Sequence, residues 1–302
     1  MSDLEKSAVD LLRKEQQLMK MLNEAAGRED GRVLVAFSGG VDSSLLLWES
    51  ARTLGQDRVV AVTATSATSI PEEEELARRF AAELKVQHLV ISTEECSDEA
   101  FVSNPENRCY LCKLIRYRLL KKLAHDLGIS AVLDGSQADD DPSDRPGMRA
   151  LMELGITSPL AQTGITKIEV RTLLRRAGFA ELAEKNAQPC LATRIPSGQP
   201  ITLEALEMIR RGERVVGECG IKFFRVRHHF PLARIVTDRS GISLVLKEQK
   251  IRKKLVTGLK AIGYKWVTLD LEEYGAGSAS STINGHQEIA GRCAYSPDAC
   301  NL

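Results

Sequence analysis

The sequence predicts an α/β fold, a doubly wound parallel sheet followed by a second, smaller α+β domain. Three observations carry that prediction. Short apolar, β-branched runs at 33–37, 59–64, 88–91 and 131–133 alternate with helix-length amphipathic stretches. A turn rich in glycine and serine, Ser38-Gly39-Gly40-Val41-Asp42-Ser43-Ser44, joins the first run directly to a helix. From Thr202 onward the order changes to helix, strand, strand, helix, strand.

Residues 5–27 repeat Leu11, Leu12, Leu18, Leu22 and Ala25 near helical spacing, which predicts an amphipathic helix packed on the first domain or on a partner subunit. The run 33–37 reads as a buried parallel strand, and the helix after the turn carries Ser43 and Ser44 in its first turn. Pro71 opens the next helix, and the glutamates that follow stand where a helix N-terminus favours acid. They read as a solvated helix start rather than a metal site. With the third strand at 88–91, strand and helix alternate as in an open parallel sheet, whose ligands lie at the strands' carboxyl ends. The turn cluster Asn104-Pro105-Glu106-Asn107 precedes a helix reaching about residue 127. The run 131–133 delivers Asp134-Gly135-Ser136 to the same edge, and the polar stretch to Gly147 reads as a functional loop. Thr166-Lys167-Ile168-Glu169 has the form of a capping box opening a helix to about residue 178.

In the second module a helix over 202–217 leads to a strand whose alternation places Arg225 and Arg227 on one face. A second strand at 232–236, a helix over 247–262 and a closing strand at 266–270 complete it. Two arginines on one strand face need an anion more than a core does, so they read as ligands of a substrate phosphate or carboxylate. Glu213 then balances them or acts on substrate. His228 and His229 are adjacent on a strand, point to opposite faces and do not chelate together. The domain boundaries that follow are 1–185, 186–275 and a flexible Gly/Ser-rich tail over 276–302, which contains Cys293 and Cys300.

The balance of 41 Lys+Arg against 41 Asp+Glu argues against a long nucleic acid as partner. No apolar run approaches a membrane span, and the charged, heptad-like first twenty residues do not read as a signal peptide. Both point to the cytoplasm and to no membrane partner. Seven cysteines, an odd number, argue against a disulfide scaffold.

The chemistry concentrates in three places. Strand, glycine-rich turn and helix N-terminus together present unpaired backbone N–H groups to an anion, with Ser38, Ser43 and Ser44 adding hydroxyls. Gly39 and Gly40 let a phosphate approach, and Asp42 holds Mg²⁺ or caps the turn. Neither a Walker lysine nor a G-x-G-x-x-G is present, so kinase-type and dinucleotide readings fail. Ser66, after the second strand, marks where an adenine would lie. Cys109 and Cys112 stand three apart at a helix start, where the dipole favours thiolates; a redox disulfide, half a zinc site and part of an iron–sulfur site all remain open. Cys190 sits in a turn-rich loop, with Thr193 and Arg194 following, and Arg194 offers a bidentate fork to a phosphate.

The loop Ser38 to Ser44 resembles the signature of the PP-loop ATP pyrophosphatases, which implies an adenine nucleotide alpha hydrolase-like fold that splits ATP to AMP and pyrophosphate. With Asp134-Gly135, Asp144-Arg145-Pro146-Gly147, the segment from Cys190 to Pro196, Arg225-Val226-Arg227 and Trp266 to Asp270, the chain is similar to the LarE family. The resemblance covers about residues 15–272 and implies an ATP-dependent sulfurtransferase that builds a nickel-pincer nucleotide cofactor. It would adenylate a carboxylate of pyridinium-3,5-biscarboxylic acid mononucleotide and convert it to a thiocarboxylate. ATP would be bound by Ser38, Gly39, Gly40, Asp42, Ser43, Ser44, Ser66 and Gly135, and substrate by Thr193, Arg194, Glu213, Arg225 and Arg227. The resemblance also implies Mg²⁺, sulfide or another sulfur donor, and a homo-oligomer. Some members sacrifice the sulfur of the cysteine matching Cys190; others add a C-x-x-C, and the presence of Cys109 and Cys112 implies the second kind, a [4Fe-4S] cluster on Cys109, Cys112 and Cys190. The alternatives are a tRNA thiolation enzyme and a nucleotide-binding redox sensor without catalysis.

Overall fold

A computed structural model describes residues 3–140 and 146–274. Asp144 and Arg145, and the tail with Cys293 and Cys300, lie outside the described residues. The chain divides into two compact units, 1–212 and 213–302.

In the first unit, elements follow in the order α1 (Asp3–Ala26), β1 (Val33–Ala36), α2 (Val41–Leu54), β2 (Val59–Thr65), α3 (Pro71–Glu83), β3 (Gln87–Ser92), α4 (Glu99–Val102), α5 (Arg108–Asp126) and β4 (Ala131–Leu133). Then come α6 (Pro146–Glu153), α7 (Pro159–Gln162), α8 (Lys167–Arg176), α9 (Ala180–Ala183), a 3-10 turn at Leu191–Arg194 and α10 (Leu203–Gly217), which crosses the unit boundary. The four strands are parallel in the order β3-β2-β1-β4. The chain therefore steps outward from β1 to β3 and then returns to the other side of β1. The direction reverses between β1 and β4, the place where open α/β sheets bind ligands.

Both faces of the sheet are covered, as continuous apolar strands require. Val33 and Val35 of β1 pack on one side with Leu18 and Leu22 of α1, Leu45, Leu46 and Leu47 of α2, and Val170 and Leu174 of α8. Leu34, between those valines, faces the other side with Val60, Val62, Tyr117 and Leu120. The capping box at Thr166 forms, its side chain accepting from the Glu169 backbone N–H. Pro71 is the first residue of α3, as the sequence predicts.

The segment that the sequence assigns to the smaller module from residue 186 packs in the first unit up to Gly212. Leu191, Ala192, Ile195, Ile201, Leu206 and Ile209 bury themselves with Phe101, so their apolar surface is already spent there.

The second unit holds the end of α10, β5 (Phe224–His229), β6 (Leu232–Thr237), α11 (Arg239–Lys247), α12 (Gln249–Ile262) and β7 (Trp266–Leu269), with sheet order β5-β6-β7. β5 and β6 are antiparallel, β6 and β7 parallel. The sequence predicts one helix over 247–262; the structure has two, meeting at the extended residue Glu248. Asp238 caps the extra helix, accepting from the Gly241 N–H at 2.9 Å. Among the described residues no helix is long and apolar enough to cross a membrane. Leu46 is fully buried between α2 and the sheet. Leu46→Ala is expected to cost about 2–5 kcal/mol in denaturant unfolding.

Candidate active site

The loop after β1 is held open by its own polar groups. The Ser38 and Ser43 hydroxyls lie 3.1 Å apart, and Ser43 Oγ donates to the Gly40 carbonyl at 3.1 Å. Gly40 is the N-cap of α2 and makes no side-chain cap bond, which leaves the first N–H groups of the helix for an anion. Gly39 adopts φ 72°, and a Cβ there would meet the Glu73 carbonyl at 2.9 Å. The loop thus lies against the start of α3, and only glycine permits both the conformation and the approach. Lys185 pins the same contact, donating to the Gly39 carbonyl at 2.9 Å and to Glu73 at 2.7 Å. Glu73 is therefore one glutamate of the helix start that takes a specific partner. Asp42 takes a partner from far along the chain: each of its carboxylate oxygens accepts from Lys167 Nζ at 2.7 Å.

The end of β4 closes the loop from the other side. A Cβ on Gly135 would stand 2.9 Å from both the N and the Cα of Ser43. Asp134, next to it, accepts from the Ser136 N–H at 2.8 Å and from the Tyr117 hydroxyl, with Lys113 Nζ at 3.6 Å. Burial would raise the Asp134 carboxyl, but Lys113, Ser136 and Tyr117 outweigh it and hold it below its ordinary value.

The thiols lie around α5. Cys190, Cys112 and Cys96 pack against one apolar cluster, that of Phe101 and Leu191. Cys109 and Cys112 each feel the charge of Cys190, and Cys112 also feels Cys109. The structure thus sets these three within electrostatic reach despite their separation in the chain, and Cys96 joins them through Cys190. The helix start predicts thiols shifted towards the thiolate, and burial works the other way. Desolvation pushes Cys112 up to about 12 and raises Cys109 as well, overriding the dipole. Among the described residues, no group of three or more His, Cys, Asp or Glu forms a metal-holding set as it stands. Three cysteine sulfurs are nonetheless the donor chemistry that an iron–sulfur cluster takes, and a carboxylate such as that of Asp42 is the hard oxygen donor that Mg²⁺ takes.

Arg116, one turn beyond Cys112 on α5, donates to the fully buried Glu95 at 2.6 Å. Ser66, where the sequence places an adenine, donates to the same Glu95 oxygen at 2.6 Å. Burial would raise Glu95, yet Arg116, Ser66 and Thr93 bring it below its ordinary value. Arg194 is buried rather than extended as a fork: its Nη1 donates to the Cys190 carbonyl at 3.1 Å and to Thr193 Oγ1 at 3.0 Å. Thr193 Oγ1 also donates to the Cys190 carbonyl, at 2.8 Å. Both residues hold the turn that carries Cys190.

In the second unit, the register places Arg227 opposite Arg234, two like charges across an antiparallel pair. Arg225 shares their face, half-stacked on the Tyr274 ring at 5.3 Å. Glu213 accepts from the Val226 N–H at 3.2 Å. His228 turns the other way, bonded to the Tyr264 hydroxyl at 2.9 Å, while His229 is lowered by desolvation and by Arg234 and Arg227. The two histidines do point apart.

Sequence reasoning misses Cys96, Glu95, Arg116, Lys113, Lys167, Lys185 and Arg234. A signal existed for Arg116, at helical spacing from Cys112, and for Lys167, which follows the capping Thr166. The remaining contacts are long-range.

The PP-loop domain family matches residues 11–162. Pyridinium-3,5-bisthiocarboxylic acid mononucleotide synthase of Lactiplantibacillus plantarum is 32% identical over 265 residues, 87% of this chain and 94% of that protein. The chain belongs to the LarE family of PP-loop proteins. An uncharacterized Synechocystis protein is 38% identical over 83% of this chain and 93% of its own length. A probable tRNA sulfurtransferase of Methanobrevibacter smithii is 30% identical, over 37% of this chain and 30% of its own length. As a LarE-family protein of the PP-loop class, the chain is an ATP-using enzyme.

Two outcomes follow from this geometry. Gly135→Ala, whose Cβ meets backbone rather than a movable side chain, is expected to weaken ATP binding at least about tenfold in calorimetry while the fold persists. Glu95 and Asp134, both held low, stabilise the fold above the unfolded carboxylate value of about 4, and that stability is lost as pH falls through their folded values. Glu95→Gln is expected to flatten the acid limb of the stability–pH curve, measured by denaturant unfolding.

Proposed function

We infer that this protein is an ATP-dependent sulfurtransferase acting on pyridinium-3,5-biscarboxylic acid mononucleotide. The observation that carries the reading is helix α5. It sets Cys109 and Cys112 within electrostatic reach of Cys190, and it also sends Lys113 and Tyr117 to Asp134, beside Gly135 and the nucleotide loop. One rigid element thus couples the nucleotide edge to the thiols. The name of the L. plantarum relative supports the same substrate class.

In the first step a substrate carboxylate oxygen attacks the α-phosphorus of ATP. The bond from that phosphorus to its bridging oxygen breaks, and pyrophosphate leaves with the electron pair. The α2 N-terminus and the Ser38 and Ser43 hydroxyls would face the polyphosphate, the Ser44 side chain being fully buried; Asp42 would hold Mg²⁺, and Ser66 and Gly135 would border the nucleoside. In the second step a sulfur nucleophile attacks the acyl carbon, the carbon–oxygen bond to the phosphate breaks, and AMP departs, leaving the thiocarboxylate. Cys109, Cys112 and Cys190 would hold a [4Fe-4S] cluster, which when bound supplies iron-ligated sulfide. Thr193 and Arg194 orient the Cys190 turn, and in the second unit Arg225 and Arg227, flanked by Glu213, bind the substrate's phosphate or carboxylate. The reading includes a cytoplasmic homo-oligomer that takes sulfide or another donor.

Wild-type protein is expected to release pyrophosphate from ATP only when the pyridinium biscarboxylate mononucleotide is present. Cys190→Ser is expected to keep that release and lose the thiocarboxylate, followed by mass spectrometry. Release driven equally by bulk tRNA would overturn the substrate. Anaerobic reconstitution is expected to give about four irons per chain, and Cys109→Ser to abolish the visible absorption. A colourless wild type that transfers one sulfur and leaves dehydroalanine at Cys190 would instead establish the sacrificial route.

A further inference from the structure

The nucleotide loop has a peculiarity of charge. Its only ionisable side chain is Asp42, a carboxylate, although it is built to receive a polyanion. A loop that contacts ATP with backbone N–H groups and hydroxyls alone would set a negative group beside the phosphates and offer nothing positive of its own.

The structure brings that positive charge from another part of the unit. Lys167 lies 125 residues further along the chain, at the first turn of α8, and its Nζ stands 2.7 Å from both Asp42 oxygens. Its backbone is fixed twice. The Lys167 N–H donates to Asp139 Oδ2 at 2.7 Å, and the Thr166–Glu169 capping box sets the start of the helix just before it. The lysine is therefore positioned by its main chain as well as by its ion pair.

Stability does not account for this arrangement. The two side chains are 32% and 30% exposed, and a partly solvated pair of this kind adds little to folding free energy. Geometry supplies the other reason. An ammonium carries three N–H donors, of which the Asp42 oxygens take two. The group is also accessible from solvent, on the loop that ends at the uncapped start of α2.

We propose that Lys167 is the polyphosphate-binding cation of this nucleotide loop, bridging Asp42 to the β- and γ-phosphates of ATP. The proposal rests on the reading of the loop as the ATP site and adds a residue that the reading does not contain. When the substrate oxygen attacks the α-phosphorus and the bond to the bridging oxygen breaks, the electron pair stays on pyrophosphate. The Lys167 ammonium then neutralises the charge that develops there, with no proton changing hands. Lys185 acts differently: it holds the Gly39 carbonyl against α3, so it positions the loop rather than touching the phosphates.

The test is calorimetric binding of ATP, inorganic pyrophosphate and AMP, each with Mg²⁺, to wild type, Lys167→Met and Lys167→Arg. Thermal unfolding serves as the control for fold. Lys167→Met is expected to weaken ATP and pyrophosphate about ten- to a hundredfold and AMP less than about twofold, because AMP lacks the two phosphates concerned. Lys167→Arg is expected to recover part of the loss. An equal fall for ATP and AMP would reduce Lys167 to a structural support and overturn the proposal, as would unchanged affinity for all three. If Lys167→Met loses its cooperative transition, Lys167→Arg and Lys167→Gln must show the same split between ATP and AMP, or the proposal falls. A wild type that binds no ATP would overturn the parent reading of the loop, a result distinct from one confined to the variants.

Discussion

Parallel pairing of β1 with β2 on one side and β4 on the other is the constraint from which the rest follows. A strand placed so, with helices on both faces, has no free surface except its ends. Val33 and Val35 are committed to one layer and Leu34 to the other. The chain leaving β1 must therefore emerge at the carboxyl edge, beside the chain leaving β4. That is why Ser43 and Gly135 touch, and why a side chain on Gly135 has nowhere to go. Ser66 after β2 and Glu95 after β3 arrive at the same edge by the same logic.

Charge is distributed along this edge in pairs, each joining one local residue to one supplied from afar. Asp134 takes Lys113, Glu95 takes Arg116, Asp42 takes Lys167 and Glu73 takes Lys185. The burial of the acids decides what each pair does. Glu95 is fully buried, so removing Arg116 would leave an uncompensated charge and destabilise the fold by about 3–5 kcal/mol. Asp42 and Lys167 are each about a third exposed, and their pairing is worth about 1 kcal/mol or less. The first pair is architecture. The second is cheap to open, which suits a residue whose partner changes during a reaction.

This division also explains what the sequence discloses. The strands, the loop, the proline at α3 and the capping box at Thr166 are local, since each is written in a few neighbouring residues whose backbone preferences agree. Arg225 and Arg227 fall on one face for the same reason, because alternation along a strand needs no partner. Arg234 was not legible beside them, since its place opposite Arg227 depends on hairpin register. Neither was the fate of Arg194. An arginine four residues after Cys190 reads as an anion ligand, and nothing in its neighbours says that the turn folds back and offers its Nη1 the Pro189 and Cys190 carbonyls. The break at Glu248 was hidden because both flanking helices keep an apolar stripe, although Asp238 and Gly241 stood in capping positions.

The thiols show most directly how packing overrides a local rule. A helix N-terminus favours an anion by about 0.3–1 kcal/mol. The rise of Cys112 from its ordinary value of 9.0 to about 12 corresponds to roughly 4 kcal/mol against the thiolate. Desolvation wins by a wide margin, and a neutral thiol is a poor nucleophile and a poor ligand. Arg116 is the positive group that opposes this, and its hydrogen bonds already go to Glu95, Ser66 and Thr68. Cys109 has Arg108 and Lys113 as its opposing cations, yet burial raises it too. A cationic centre would reverse that balance for any thiol it touched, since its charge favours the thiolate directly. The burial that raises Cys109 and Cys112 would also strengthen their attraction to such a centre, because charges interact more strongly at low dielectric.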